Sequence, residues 1–219
     1  MRQSWAVLIP VKATSRGKSR VDLDPATRQE LALDLALDTT AVALATPQVG
    51  AVLAVVEDPA DGRALAELGA PVHLTRTREL NDALLDGLAR LAAHDGPVAV
   101  LPGDLPGITV RELGDLLTRC VPLPSAVVPD AEGTGTTVLA ARRVADLQPR
   151  YGPGSFARHV AAGAVPIDLP VGSTLRHDVD TIADLDGIGG TRTAALVRRL
   201  RANGRTPAGL ATTLGCNPR

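Results

Sequence analysis

Three short apolar runs constrain the fold of this chain more than any other feature of its sequence. They occupy residues 6–11, 51–56 and 98–101 and show no regular polar alternation. Such runs are typical of strands in the centre of a parallel sheet, where both faces of each strand are covered. Amphipathic segments with a helical period separate the runs. The β-α-β-α order predicts a single α/β domain with a mostly parallel sheet and helices on both faces.

Capping residues and helix breakers place the other elements. Asp24 and Pro25 are the predicted N-cap and first residue of a long helix, which Pro47 ends. Further helices are predicted over 59–68, 79–93, 110–119 and 156–162, with another starting at 181, and further strands over 72–74, 126–129, 137–141 and 165–169. No linker divides the chain, so residues 1–190 are predicted to form one domain. Residues 191–219 are predicted to form a C-terminal helix and a loosely ordered tail, because the apolar pattern fades from about Arg198.

The composition excludes several classes of partner. A net charge of −1, from 23 basic and 24 acidic residues, argues against nucleic acid as a partner. No apolar run approaches the roughly 18 residues of a membrane span, so no membrane partner is expected. Cys120 and Cys216 are too few for a disulfide framework or a zinc site, which makes a reducing cytoplasm the default location. With one Trp, one Tyr and one Phe, recognition of a base by aromatic stacking is not expected.

The loop after the first strand is strongly basic. It carries Lys12, Arg16, Lys18 and Arg20 together with a glycine and small hydroxyl side chains. Ligands of parallel sheets bind at the carboxyl ends of the strands, and such a loop can surround a triphosphate with cations and backbone N–H groups. Gly17-Lys18-Ser19 is not a Walker A motif, because the first glycine of that motif would fall on Lys12. The alternative is a solvated basic loop without a ligand.

Acidic residues follow the strand at 98–101 and recur near the C-terminal end of the predicted domain. Asp104 is fixed between Gly103 and Leu105, and Asp178 and Asp180 lie two apart, so that both point to one side of an extended segment. Three such carboxylates can hold Mg²⁺ against a phosphate-rich substrate. The alternatives are that Asp104 is an ordinary turn residue and that Asp180 caps the helix predicted from 181.

Two glycine-rich turns carry hydroxyl groups. The first is Gly133-Thr134-Gly135-Thr136-Thr137 and the second runs from Tyr151 through Gly152 to Ser155. Their backbone and hydroxyl donors suit a carboxylate or a phosphate. Ser155 is alternatively the N-cap of a helix, and His159, one turn later, is either a structural histidine or a catalytic base. Asn81, in the first turn of the helix at 79–93, either reads the edge of a base or caps that helix.

Taken in order, these segments resemble one enzyme family. The matching residues are Ile9-Pro10-Val11-Lys12, Gly17-Lys18-Ser19-Arg20, Leu80-Asn81, Leu101-Pro102-Gly103-Asp104-Leu105-Pro106, Pro129-Asp130, Gly135-Thr136-Thr137, Gly154-Ser155-Phe156 with His159, and Asp178-Val179-Asp180-Thr181. Over about residues 5–190 their order and spacing resemble the 2-phospho-L-lactate guanylyltransferase family of coenzyme F420 biosynthesis. Its actinobacterial members are described as phosphoenolpyruvate guanylyltransferases. Tyr151 is a mild departure, since the family pattern leads us to expect Phe there.

The resemblance implies a fold like that of the nucleotide-diphospho-sugar transferases, a nucleotidyltransferase domain over 1–190, and Mg²⁺ as cofactor. It implies transfer of GMP from GTP to the phosphate of phosphoenolpyruvate or 2-phospho-L-lactate, with release of pyrophosphate. Asp104, Asp178 and Asp180 are implied to hold metal, and Thr136 or Thr137, Gly152 and Ser155 to hold the carboxylate of the acceptor. We assign the nucleotide to Pro10, Val11, Asn81, Pro102 and Gly103, and catalysis to Lys12, Lys18, Arg20 and Asp104.

Several alternatives stay open from the sequence. The motifs do not choose among phosphoenolpyruvate, 2-phospholactate and 3-phosphoglycerate as acceptor, because these differ by a double bond, a hydroxyl or the position of the phosphate. Another nucleotidyltransferase of this fold, acting on a sugar phosphate or on the molybdenum cofactor, is an alternative, as is a nucleotide-binding regulator without turnover. The resemblance also leaves room for a homodimer and for a transient hand-over of product to the next transferase of the F420 pathway.

Overall fold

The computed structural model of the chain describes residues 4–16, 18, 21–181, 183–185 and 188–202. Strands and α-helices alternate along most of these residues, as the sequence predicts, but two consecutive strands occupy 125–141. The strands are β1 (Trp5–Val11), β2 (Val49–Val56), β3 (Val72–Leu74), β4 (Val98–Val100), β5 (Ser125–Pro129), β6 (Thr136–Ala141) and β7 (Val165–Pro166). The helices are α1 (Pro25–Ala45), α2 (Pro59–Glu67), α3 (Leu80–Arg90), α4 (Val110–Cys120), α5 (Ser155–Ala161) and α6 (Thr191–Ala202).

The strands form one sheet in the order β3-β2-β1-β4-β6-β5-β7. All neighbouring pairs are parallel except those that involve β6, which lies antiparallel between β4 and β5. The predicted α/β fold with a mostly parallel sheet is therefore confirmed. Val100 of β4 pairs with Leu139 of β6. Because β6 runs in the opposite direction, its first residues, Thr136 and Thr137, lie at the same edge of the sheet as Asp104, which follows β4.

The sheet is buried on both faces by aliphatic side chains. Ile9 and Leu101 belong to a cluster on one face with residues of α1 and α4, whereas Leu8 and Val100 belong to a cluster on the other face with residues of α3. Trp5 is the largest side chain in this core and is 2% exposed. Each fully buried Leu or Val contributes about 2 kcal/mol of hydrophobic stabilisation. The two covered faces explain why the central strands have apolar runs without alternation.

The long helix α1 follows from its cap. The side chain of Asp24 accepts a hydrogen bond from the backbone N–H of Thr27 at 3.1 Å, and Pro25 occupies the first helical position. The helix ends at Ala45, before Pro47, and charged residues such as Arg28, Glu30 and Asp34 interrupt its apolar sequence. Among the residues that the structure describes, no helix combines the length and the apolar character needed to cross a membrane.

The C-terminal helix α6 packs on α1. Leu196, Val197 and Leu200 of α6 form a third apolar cluster with Leu31 and Leu35 of α1. The same cluster includes residues from two loops, Val21 and Val179. The chain therefore stays helical to Ala202, beyond the point near Arg198 where the sequence pattern fades, because these apolar side chains are buried. The rest of the predicted tail, 203–219, lies outside the described residues.

A buried carboxylate joins the start of α6 to α1. Asp38, which is 4% exposed, accepts hydrogen bonds from the backbone N–H groups of Arg192 at 3.1 Å and Thr193 at 2.9 Å. The guanidinium of Arg192 lies 3.4 Å from the same carboxylate. Asp38 thus satisfies N–H groups that the first turn of a helix leaves without an internal partner. A side chain in the middle of one helix caps another.

The prediction of a helix that starts at residue 181 is wrong. Only a single 3₁₀ turn, Ala183–Leu185, forms there among the described residues. The carboxylate of Asp184 accepts hydrogen bonds from the backbone N–H of Asp180 at 3.0 Å and from both the N–H and hydroxyl of Thr181. These bonds fold the chain into a turn, because a short acidic side chain competes with helix for the backbone donors. The other predicted boundaries differ from the observed ones by a few residues at the ends of elements.

Candidate active site

Three carboxylates meet at the carboxyl edge of the sheet. Asp104 lies in the turn after β4, and the backbone N–H of Val179 donates to the Asp104 carbonyl at 3.1 Å, which brings Asp178 and Asp180 alongside. One carboxylate oxygen from each acidic residue lies within 4.8 Å of the others. Burial, and then the charges of Asp104 and Asp180, raise the pKa of Asp178 to about 6. Like charges held this closely fit a divalent metal ion, for which carboxylate oxygens are preferred ligands.

Lys18 places an ammonium group among these carboxylates. Its Nζ lies 2.7 Å from Asp104 and 3.7 Å from Asp180, and it donates a hydrogen bond to the carbonyl of Val179. Burial lowers the pKa of Lys18, but Asp104 foremost, then Asp180 and Asp178, outweigh it, so that the pKa is raised. Lys18 also has a φ of 52°, in the left-handed region that side-chain-bearing residues seldom adopt. The loop thus holds this lysine in an unusual conformation against the carboxylates.

The alternative that Asp180 caps a helix does not hold. The backbone N–H groups at this turn are bound by Asp184, and the side chain of Asp180 lies instead near Lys18. Asp104, likewise, does more than close a turn, because its carboxylate bonds to a lysine that is 86 residues away in the chain. Long-range contacts of both residues therefore favour a binding site over a purely local role.

A buried aspartate of α2 holds the start of the basic loop. Asp61, in the first turn of α2, is 3% exposed and accepts hydrogen bonds from the backbone N–H of Thr14 at 3.0 Å and from its hydroxyl at 2.8 Å. Arg16 pairs with Glu57 at the end of β2. The described part of the loop is therefore held by α2 and by the residue that follows β2. Arg20, to which we assign a catalytic role, lies outside the described residues.

A cavity of about 480 Å³ opens beside the carboxylates. Besides Asp104, six predicted nucleotide or catalytic residues line its wall, namely Pro10, Val11, Lys12, Lys18, Pro102 and Gly103. A Cβ atom on Gly103 would lie 3.3 Å from the carbonyl oxygen of Pro10, so β1 passes close to the turn after β4 at a residue that has no side chain. A cavity of this size at the carboxyl edge of a mostly parallel sheet can hold a nucleotide.

The second glycine-rich turn forms a separate, tightly bonded group. Ser155 is the first residue of α5 and not its N-cap, which is Gly154 with a φ of 70°. The Ser155 hydroxyl donates to Thr136 Oγ1 at 3.1 Å, and Thr136 Oγ1 lies 2.9 Å from His159 Nδ1. The backbone N–H of Arg150 donates to His159 Nε2 at 2.9 Å. His159 is therefore bonded on both ring nitrogens, and burial, then the charges of Arg158 and Arg150, lower its pKa to about 4.

Two further residues of the predicted acceptor site lie nearby. Gly152 is exposed and has a φ of 119°, a conformation that a side chain would strain. Thr137 is 1% exposed, and its hydroxyl has no hydrogen-bond partner among the described residues. A buried hydroxyl without a partner costs about 1–3 kcal/mol, and a bound ligand can supply the missing bond.

Asn81 supports a loop in this structure. Its side-chain nitrogen donates to the carbonyl of Tyr151 at 3.1 Å, and its oxygen accepts from the N–H of Tyr151 at 2.8 Å. Neither capping of α3 nor an open amide is observed: the N-cap position is Glu79. Asn81 does not line the cavity beside Asp104, so its prediction as a nucleotide contact stays a prediction and is not favoured by this geometry.

Several residues of the site were not predicted from the sequence. Arg78 and Glu79 line the cavity from the segment that follows β3. The rule that ligands bind at the ends of parallel strands could have pointed to them, had it been applied to this short strand. Asp61 gave no such signal, because its distance from Thr14 in sequence is 47 residues and acidic residues are common in first helical turns.

A nucleotide-sized cavity at the carboxyl edge of a mostly parallel sheet, flanked by carboxylates that fit a divalent metal ion, is the arrangement of a nucleotidyltransferase. Comparison with known proteins narrows this class. The chain belongs to the family described as "Guanylyl transferase CofC like", whose family model matches residues 5–188. The resemblance inferred from the sequence is therefore confirmed, and the protein is an enzyme of the guanylyltransferase type.

Individual relatives agree with this family. The chain is 43% identical over 211 residues to a phosphoenolpyruvate guanylyltransferase of Streptomyces coelicolor, covering 92% of this chain and 99% of the relative. A crystal structure from Desulfovibrio desulfuricans, described as a nucleotide-diphospho-sugar transferase, is similar with a TM-score of 0.68 at 16% identity, covering 92% of this chain and 96% of that one. A Mycobacterium tuberculosis protein in complex with manganese has a TM-score of 0.53 at 18% identity, covering 84% and 96%. Both of these structures share the fold of this chain.

Proposed function

We propose that this enzyme joins GMP from GTP to the phosphate of phosphoenolpyruvate or 2-phospho-L-lactate and releases pyrophosphate, as a cytoplasmic step of coenzyme F420 biosynthesis. The observation that carries the proposal is the group of three carboxylates beside Lys18 and a nucleotide-sized cavity. The name of the relative in Streptomyces coelicolor, a phosphoenolpyruvate guanylyltransferase, supports the choice of donor and acceptor.

The proposed reaction needs no covalent enzyme intermediate. An oxygen of the acceptor phosphate attacks the α-phosphorus of GTP, the bond from that phosphorus to the β-phosphate oxygen breaks, and pyrophosphate leaves. The product contains a new diphosphate bridge. Because the acceptor phosphate is already an anion at neutral pH, no general base is required. The main barrier is the repulsion between anions, so positioning and electrostatic stabilisation supply most of the rate enhancement.

The charged residues have distinct proposed roles. Asp104, Asp178 and Asp180 would hold Mg²⁺, which supplies charge neutralisation and alignment of the phosphates when it is bound. Lys18 is close enough to the carboxylates to exchange its contact with Asp104 for a phosphate oxygen. Lys12 is exposed on the cavity wall, where it can pair with the triphosphate, and we propose the same role for Arg20.

The remaining predicted residues fall into two groups. Pro10, Val11, Pro102 and Gly103 line the cavity and are proposed to contact the nucleotide. Thr136, Thr137, Gly152 and Ser155 are proposed to hold the carboxylate of the acceptor. The position of Thr136 and Thr137 at the edge of the sheet that carries Asp104 supports this assignment. Asn81 stays a proposed nucleotide residue, although its amide bonds to the backbone of Tyr151, in the loop of the proposed acceptor site.

The proposal is tested by measuring pyrophosphate release with Mg²⁺. Phosphoenolpyruvate, 2-phospholactate and 3-phosphoglycerate are each combined with GTP, ATP, CTP and UTP. We expect the fastest release with GTP and one of the first two acids, and loss of activity when the metal is chelated. Release only with a sugar phosphate would assign the site to another transferase of this fold. Tight binding of GTP without release from any acceptor would indicate a regulator.

A further inference from the structure

His159 lies at one end of a short chain of hydroxyl groups in the proposed acceptor site, so any role for it there rests on the proposed function. The chain consists of His159 Nδ1, Thr136 Oγ1 and Ser155 Oγ, with separations of 2.9 and 3.1 Å. All three side chains are nearly excluded from solvent: His159 is 1% exposed, Ser155 2% and Thr136 9%. Water therefore has little access to satisfy them, and the direction of each hydrogen bond matters.

The direction is set by a backbone group outside the chain. The N–H of Arg150 donates to His159 Nε2 at 2.9 Å, so Nε2 is an acceptor and carries no hydrogen. A neutral imidazole has its single hydrogen on the other nitrogen. His159 therefore donates from Nδ1 to Thr136 Oγ1. The buried position of the ring and the neighbouring Arg158 and Arg150, which lower the pKa of His159 to about 4, agree with a neutral ring at physiological pH.

The tautomer decides what the two hydroxyl groups can offer a ligand. Of the two hydroxyl hydrogens, one forms the hydrogen bond between Ser155 and Thr136. The bond between His159 and Thr136 needs neither of them, because His159 supplies its own hydrogen from Nδ1. One hydroxyl hydrogen is then left over, and the pair can donate it to an anion. With the opposite tautomer, Nδ1 would accept from Thr136, both hydroxyl hydrogens would be used, and the pair would present only lone pairs. Lone pairs repel a carboxylate, whereas a leftover hydroxyl hydrogen binds it.

The turn itself is held in place by neighbouring side chains. The guanidinium of Arg158 donates to the carbonyl of Arg150 at 2.9 Å and to that of Pro153, and Asn81 holds Tyr151 from the other side. The first two amides of α5 are occupied, since Ser155 N–H donates to the Gly152 carbonyl and Phe156 N–H to that of Thr134. With these two amides occupied, the hydroxyl pair stays available as a donor at this place, together with the hydroxyl of Thr137.

We infer that His159 is a positioning residue for the acceptor. By accepting from the backbone of Arg150 and donating to Thr136, it leaves the hydroxyl pair Thr136–Ser155 with one hydrogen for the carboxylate of the phosphorylated acid. His159 acts through the hydroxyl groups and takes no proton from the reacting phosphate.

The tautomer is tested directly by nitrogen-15 NMR of the wild-type enzyme at pH 7.5. Long-range proton–nitrogen correlations distinguish a hydrogen on Nδ1 from one on Nε2, and the spectrum of His159→Gln identifies the signal. We expect the Nδ1–H tautomer. A hydrogen on Nε2, or a doubly protonated ring, overturns the inference. This measurement needs no turnover, so it stands apart from the outcome of the pyrophosphate assay.

The effect on binding is tested by steady-state kinetics of His159→Gln and His159→Asn. Gln can place its carbonyl where Nε2 lies and satisfy Arg150, but it leaves no donor at the Nδ1 position, whereas Asn offers an N–H there. His159→Gln should raise the KM for phosphoenolpyruvate by about tenfold or more, with the KM for GTP within about twofold, because Thr136 loses the donor that fixes the direction of its hydroxyl and the leftover hydrogen is no longer held toward the carboxylate. His159→Asn should recover the acceptor KM to within about threefold. His73→Gln, on β3, is the matched control and should leave both constants unchanged.

An acceptor without the carboxylate completes the test. Vinyl phosphate is phosphoenolpyruvate with a hydrogen in place of its carboxylate, and its inhibition constant against phosphoenolpyruvate can be measured for each variant. His159→Gln should leave this constant unchanged. An equal loss for both acceptors, or equal KM values for the Gln and Asn variants, would show that His159 only fills space and would overturn the inference. If the wild type itself fails to use any phosphorylated acid, the proposed function fails instead.

Discussion

The buried carboxylate of Asp38 offers the sharpest test of how the C-terminal helix is held. Replacing it by Ala removes the acceptor from the backbone N–H groups of Arg192 and Thr193, at 3.1 and 2.9 Å, at a position that is 4% exposed. Hydrogen bonds to a charged group contribute about 1.5–3 kcal/mol each, and loss of a helix cap costs about 1 kcal/mol. Because these terms overlap, we expect Asp38→Ala to lower the free energy of unfolding by about 3 kcal/mol.

That loss translates into a measurable shift in melting temperature. For a domain of about 200 residues, 1 kcal/mol corresponds to about 2–4 °C. Asp38→Ala should therefore melt about 6–12 °C below the wild type, as followed by calorimetry. Asp38→Asn keeps one carbonyl oxygen as an acceptor and should lose only about 1 kcal/mol, or about 2–4 °C. Hydrogen exchange of the peptide over 191–202 should increase more than that of β1.

The ion pair between Arg199 and Glu30 is a matched control, because it joins the same two helices, α6 and α1. Arg199 of α6 contacts Glu30 of α1, but the two side chains are 57% and 47% exposed. An exposed pair contributes about 0–1 kcal/mol, so Glu30→Gln should shift the melting temperature by at most about 4 °C. The reasoning is refuted if Asp38→Ala melts within about 2–3 °C of the wild type, or if its α6 exchanges no faster.

The site and its surroundings lead to four further predictions. Asp104→Asn should lower kcat by roughly a hundredfold, about 3 kcal/mol of barrier, without unfolding the protein; unchanged kcat with a lowered melting temperature would return Asp104 to a structural role. The pKa of Asp178 is raised to about 6, and a carboxylate must lose its proton to bind metal, so Mn²⁺ binding should release most of a proton at pH 5.5 and almost none at pH 8. Calorimetry in two buffers measures the number of protons released, and equal release at both pH values would contradict the prediction. Burial and then Glu30 and Asp38 raise the pKa of Asp34 to about 6, so the stability that protonated Asp34 contributes is complete below its unfolded pKa and is lost as the pH rises through 6. Asp34→Asn should therefore raise the free energy of unfolding by about 1 kcal/mol at pH 7.5, after allowance for solvent screening, and leave it unchanged at pH 4; an equal rise at both pH values would contradict this. Asp61→Ala frees Thr14 and should raise the KM for GTP more than that for the acceptor, which equal effects would exclude.

The sequence predicts the elements and the positions of the carboxylates for a simple physical reason. Asp104 follows a central strand, and in a parallel sheet the carboxyl ends of such strands share one edge. The spacing of Asp178 and Asp180 then puts both carboxylates on one side of the chain. Local periodicity and strand-end geometry place Asp104 at this edge and orient Asp178 and Asp180, whereas the meeting of the two segments depends on a long-range hydrogen bond from the Val179 N–H to the Asp104 carbonyl.

Other features depend on contacts that no local pattern encodes. Asp38 reaches Arg192 across 154 residues, and a buried aspartate in the middle of a helix looks in sequence like any exposed one. The helix predicted from 181 fails because Asp184 binds the backbone N–H groups that a helix start would need. The tautomer of His159 depends on one backbone N–H, from Arg150, whose position only the folded turn determines.

The position of Lys18 has a thermodynamic consequence for the order in which ligands bind. Its ammonium lies 2.7 Å from Asp104, so a divalent ion that ligates Asp104 must first displace it. In the proposed reaction the displaced ammonium would become a partner for the triphosphate, and a bound triphosphate would in turn draw it away from the carboxylates. Each ligand would therefore remove a cost that the other meets, and by linkage each would tighten the other by the same factor. On this proposal the free enzyme would be its own weak competitor for metal, and nucleotide would relieve that competition.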